Sequence, residues 1–78
     1  MENEKISPRR LLYRELISKC RERGLSNDEL IVIGAMSSCK KSVDKFGELE
    51  AIKIAIRAVD RSHNSDEVFR NVRKDLQI

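Results

Sequence analysis

The sequence predicts an all-α fold, a small bundle of three to four helices completed by homodimerisation, and three observations carry that prediction. Apolar residues recur at helical spacing along most of the chain. Each run is opened by a capping residue or closed by a glycine or a polar cluster. The run from Gly47 to Arg61 is apolar over an arc wider than one partner helix covers. Seventy-eight residues make one domain, 1–78. Domains of this size bury only about 60% of their unfolded surface and are marginal alone. Pairing with a second copy is one way to gain stability.

In chain order, Met1 to Ile6 is a polar lead expected to fray. Ser7-Pro8 combines an N-cap with proline at the first helical position. It opens a helix at about 8–23 with Leu12, Leu16 and Cys20 on one strip, Tyr13 and Ile17 widening it, and Gly24 as the stop. Ser26 and Glu29 have the spacing of a capping box, with Asp28 where the helix dipole favours an anion. That cap, with helical spacing through Gly34 to Cys39, makes the β-branched run Leu30-Ile31-Val32-Ile33 helical rather than a strand, and the helix is expected to end near Lys41. Gly34 inside it suggests either close approach of another helix or a kink. Ser42 to Gly47 reads as a connection anchored by Val43 and Phe46.

The central helix follows, from Gly47 to about Arg61. Leu49, Ile52, Ile56 and Val59 line one face, with Ala51, Ile54, Ala55 and Ala58 beside them. The first four are the expected dimer interface. Ser62 to Ser65 is a turn, with Ser65 the expected N-cap of a last helix carrying Val68, Phe69, Val72, Leu76 and Ile78.

The formal charge of +3 is unevenly placed. Residues 1–24 hold seven Lys and Arg against four Glu, while the rest hold nine of each sign. The excess therefore lies on the first helix, where an acidic protein surface or a phosphate backbone could meet it. Charge placement singles out Arg9, Arg10 and Arg14 on that helix, and Arg70, Arg73 and Lys74 on the last, as partner-binding residues. Three aromatic residues, Tyr13, Phe46 and Phe69, are too few for a stacking platform on single-stranded nucleic acid.

Chemistry is sparse. His63 is the one histidine and lies in a turn. It and two cysteines fall short of a structural zinc site, and the three glycines stand singly, without a phosphate loop. Cys20 and Cys39 read as small buried residues in a reducing, cytoplasmic setting. No enzyme activity, cofactor, metal, small-molecule substrate or membrane association is expected. Ser26 to Phe46 can be laid on a helix-turn-helix template, with Gly34 at the turn and Ser37, Ser38, Lys40 and Lys41 on the recognition helix. Lys40 and Leu30 then miss two of its core requirements.

Glu29, Val32-Ile33-Gly34-Ala35, Lys53-Ile54, Ile56, Ser65-Asp66 and Val72 to Ile78 together resemble the two-component-system connector proteins, the enterobacterial biofilm-development and acid-resistance regulators of the AriR (YmgB-like) family. The resemblance covers about residues 24–78. It implies an all-helical homodimer without catalytic residues that binds regulatory components of a phosphorelay, with DNA as a further partner. The basic first helix departs from that family. The resulting expectation is a small regulatory or adaptor protein acting by protein–protein interaction. The alternatives are a sequence-tolerant or helix-turn-helix-like DNA-binding regulator and a phage- or plasmid-encoded inhibitor of a host enzyme.

Overall fold

The computed structural model describes residues 7–78, which form five helices: α1 (Pro8–Glu22), α2 (Asn27–Ser38), α3 (Lys40–Phe46), α4 (Glu48–Asp60) and α5 (Ser65–Leu76). The expected fraying of Met1 to Ile6 falls outside these residues. At the start of α1 the Ser7 hydroxyl accepts the Arg10 N–H at 3.2 Å, with Pro8 in the first turn. Its end is a Schellman turn. The Gly24 N–H donates to the Arg21 carbonyl and the Leu25 N–H to the Cys20 carbonyl, with Gly24 at φ +86° and Leu25 turned into the core.

The capping box at α2 is complete. The Ser26 hydroxyl accepts the Glu29 N–H at 3.2 Å, and the Glu29 carboxylate accepts the Ser26 N–H at 2.8 Å. The helix stops at Ser38 rather than near Lys41, and the segment expected as a connection forms a fifth helix. Side chains bond back to carbonyls near the end of α2, one of which, that of Met36, a longer helix would give to the Lys40 N–H. Ser37 and Ser38 hydroxyls both donate to the Gly34 carbonyl, at 3.0 and 2.8 Å. The buried Ser42 hydroxyl donates to the Met36 carbonyl at 2.7 Å. Cys39 turns extended and the chain restarts as α3, which lays Phe46 against the core.

Helix α4 is central, flanked mainly by α1 and α5 and completed by α2 and α3. Ala51, Ile52, Ala55, Ile56, Ala58 and Val59 are all buried within the chain itself. This corrects the expected dimer interface: Ile52, Ile56 and Val59 lie inside the core, and only Leu49, 38% exposed, reaches the surface. The wide apolar arc is real, but the layer sought in a second copy is supplied by α2 and α3. Asn64, not Ser65, caps α5, its side chain accepting the Glu67 N–H at 3.0 Å, because Asn64 has the extended backbone of a cap and Ser65 is already helical. Val68, Val72 and Leu76 bury one face of α5.

Arg23 ties α1 to the far end of α4. Its guanidinium donates to the Ser62 carbonyl at 2.8 Å and the Asp60 carbonyl at 3.1 Å. The Ser62 hydroxyl, also buried, donates to the Ala58 carbonyl and accepts from the Asn71 amide. The polar groups at the end of α4 are thereby satisfied by three different elements. No helix among the described residues is long and apolar enough to cross a membrane.

Candidate functional site

Helix α2 is apolar on nearly every side, a pattern that suits a helix surrounded by protein. Its inner side, Ile33 with Leu30 and Met36, joins the core. At 100° per residue the opposite side carries Ile31, Val32 and Ala35. Nothing among the described residues covers that side: Ile31 is 68% exposed and Val32 46%. Val32 points about 100° away from Ile31 around the helix, and Ile31, the most exposed large aliphatic side chain among the described residues, marks the candidate interaction surface.

The exposed side of α2 continues into a groove of about 220 Å³ between α1 and α2. Tyr13 and Ile17 form the α1 wall, and Leu30, Ile31 and Gly34 the α2 wall. Leu16, Cys20 and Ile33, all buried, make the floor. Helix α1 packs mainly on α4 and α2 on α4 and α5 alike, and the two touch only lightly, so the valley between them stays open. Tyr13 spans one end, its hydroxyl donating to the Gly34 carbonyl at 3.3 Å. A methyl added at Gly34 would lie 3.7 Å from the Tyr13 ring, an ordinary contact. The close approach suggested at Gly34 is thus made by one tyrosine, and the glycine leaves room at the groove wall.

The α1 rim is basic. Arg10, Arg14, Ile17 and Arg21 follow one another at steps of four, three and four, one row along the helix. Arg10 and Arg14 are exposed and have no acidic partner among the described residues, and Arg21 reaches only the Asn27 amide oxygen at 3.5 Å. Arg9 stacks on the groove-wall Tyr13, 5.1 Å from its ring centre, and lies 3.7 Å from the Glu48 carboxylate. On the α2 bank, Asp28 is exposed at the first turn while Glu29 is held in the capping box.

Of the residues singled out by charge, the structure sets Arg9 over the groove-wall Tyr13 and places Arg10 and Arg14 on the α1 row of the groove-lining Ile17, though neither of those two lines the groove itself. Arg70, Arg73 and Lys74 are exposed on α5, which does not line it. Lys74 edges a shallower hollow of about 450 Å³ with Arg57, Arg61 and Asp75. Two of those cations are engaged: Arg61 grips Asp75 with two hydrogen bonds, and Arg57 pairs with Glu50 at 3.0 Å. Arg61 holds the Asp75 carboxyl below the usual carboxylate range.

The helix-turn-helix registration does not survive. Gly34 is inside α2, the break falls at the single residue Cys39, and Ser37 is buried where a base-reading residue would have to be exposed. Cys39 is half-buried rather than buried, because it sits at that break, with its sulfur 3.3 Å from the Ser42 hydroxyl. Cys20 is fully enclosed, and burial pushes its thiol up to about 11. His63 is exposed and bonds Glu67 only through its backbone N–H. No cluster of metal-ligating side chains occurs among the described residues.

Ile17 is legible in the sequence only as widening an inward strip, Ile31 and Val32 only as members of a helical apolar run, and Gly34 only as a close approach or a kink. The signal that could have marked them is the all-round apolarity of α2, which exceeds what an inward face needs. No family model, curated protein or solved structure matches the chain.

Proposed function

We propose that this chain is a small non-catalytic adaptor or regulator that works by docking a protein partner on the apolar strip formed by the α1–α2 groove and the outer side of α2. One observation carries the reading: Ile31, 68% exposed, stands on the wall of an open apolar groove with the partly exposed Ile17 on the other wall, in a chain whose other large aliphatic side chains mostly join the core. Leaving that strip in water forgoes about 25 cal/mol per Å² of apolar area, which a partner's apolar face recovers. The groove is small and nearly free of polar groups, so it offers a reacting substrate nothing to orient it.

The narrower role, a connector between components of a signalling pathway, rests on the resemblance of residues 24–78 to the connector proteins. Homodimerisation through α4 is no longer part of the reading, since that helix is covered by its own chain. Photocrosslinking from residue 31, 17 or 70 in the cell that makes the protein tests the docking surface. A discrete protein adduct from residues 31 and 17, absent from residue 70, supports it. Adducts from residue 70 alone would move the working face to α5.

A further inference from the structure

We infer that the partner presents an amphipathic helix whose apolar stripe enters the α1–α2 groove and whose flank toward α1 is acidic. The inference rests on the docking reading above and adds the chemistry of the occupant. Shape argues for a helix. The groove lies between two helices, walled by Tyr13, Ile17, Leu30 and Ile31 and bridged at one end by Tyr13, and a third helix lying over such a valley inserts apolar residues at i and i+3 or i+4. The basic row from Arg10 to Arg21 runs about 16 Å along α1, the length of three helical turns.

Charge argues for the acidic flank. Arg10 and Arg14 lie on that row without an acid among the described residues, and Arg21 has only a long bond to an amide. A second copy of this chain would set one basic row near another, and like charges across an interface are what specificity normally avoids. On the opposite bank Asp28 is exposed beside Val32, so the partner's other flank is neutral or basic there. Ile17 sits within the arginine row, so an acidic residue that reaches Arg14 also brings its own helix down onto Ile17 and Ile31. Duplex DNA would satisfy the arginines but not the aliphatic strip, since base and backbone edges give Ile31 and Val32 nothing apolar to cover them.

The test is a selection from a display library of helical peptides of about 15 residues, each with a fixed apolar stripe and randomised flanks, against the full chain. Recovered helices are expected to carry Asp or Glu on one flank and to bind less tightly as salt rises. The double reversal Arg10→Glu with Arg14→Glu is expected to weaken them about threefold to tenfold, the effect of two exposed ion pairs lost. Recovered flanks that are neutral or basic, or binding indifferent to the double reversal, overturn the inference. Ile31→Gln, checked for an unchanged melting curve, separates the two readings. If it abolishes binding of helices with neutral flanks, the groove stands and the acidic partner falls; if recovered helices bind it as well as wild type, the docking reading itself fails. A dimer in sedimentation that Ile31→Gln dissociates, or duplex DNA that displaces the peptide through Arg10 and Arg14, likewise overturns it.

Discussion

Replacing Ile52 and Ile31 by alanine removes the same atoms from two places that this fold treats in opposite ways. Ile52 is 1% exposed, on the face of α4 that its own chain covers, and Ile31 is 68% exposed on α2. A buried Ile→Ala change costs about 2–5 kcal/mol, the lost transfer energy plus the cavity left behind. A value near 3 kcal/mol, at about 4–8 °C per kcal/mol for a domain of this size, lowers the melting temperature by roughly 12–24 °C. That is a large share of the about 4–12 kcal/mol such a chain is expected to have. Ile31→Ala, with only about a third of the residue covered to begin with, costs under about 1 kcal/mol. Thermal melts followed by circular dichroism at two protein concentrations decide the matter. A single chain that covers α4 by itself melts at a temperature independent of concentration in all three proteins. Equal losses at the two positions, or a melting temperature that climbs with concentration and does so less in Ile52→Ala, would refute the reasoning.

Four further outcomes follow from the same contacts. Gly34→Ala should raise stability by about 0.5–1 kcal/mol, because a helix interior prefers alanine and the added methyl meets Tyr13 at an ordinary 3.7 Å, while narrowing the groove and weakening any peptide docked there. Ser42→Ala should cost about 0.5–1.5 kcal/mol in denaturant melts by leaving the Met36 carbonyl only the weaker Cys39 thiol as a side-chain donor at the α2–α3 break, and recovery by Ser42→Thr would tie the loss to the hydroxyl. The Arg61–Asp75 pair should add about 0.2–1 kcal/mol, the range of partly exposed pairs. Asp75 titrates lower folded than unfolded, so that contribution is full above the unfolded carboxylate range near 4 and fades as pH falls through the folded value; the melting difference between wild type and Arg61→Gln should close in acid. Iodoacetamide should label Cys39 in the native protein and reach Cys20 only on unfolding, since Cys20 is enclosed and its thiol is held protonated.

Much of the fold is written locally. Ser7-Pro8, the Ser26–Glu29 box and Gly24 act through bonds within a few residues, so their roles and the ends they set are readable from spacing alone. The break at Cys39 is different in kind. It depends on the buried Ser42 hydroxyl, with the Cys39 thiol, taking the Met36 carbonyl, a bond between residues six apart that forms only where the chain has turned. The width of the apolar arc on α4 was legible too, but not what covers it. Reading Ser42 to Gly47 as a connection removed one layer from the chain, and the shortage was then assigned to a second copy. The arginines at the groove could be named from charge excess, yet nothing in the sequence separates Arg10 and Arg14, at an open apolar edge, from Arg70 and Arg73 on a solvated face. That separation comes from how α1 and α2 pack on the rest of the chain while touching each other only lightly.

The most direct test of the docking surface is a methyl NMR titration of the full chain with a helix recovered by the selection. Shifts concentrated at Ile17, Leu30 and Ile31, with Val68 and Val72 unmoved, are the predicted pattern. Shifts confined to α5 and the Arg57–Lys74 hollow, leaving Ile31 where it was, would contradict it.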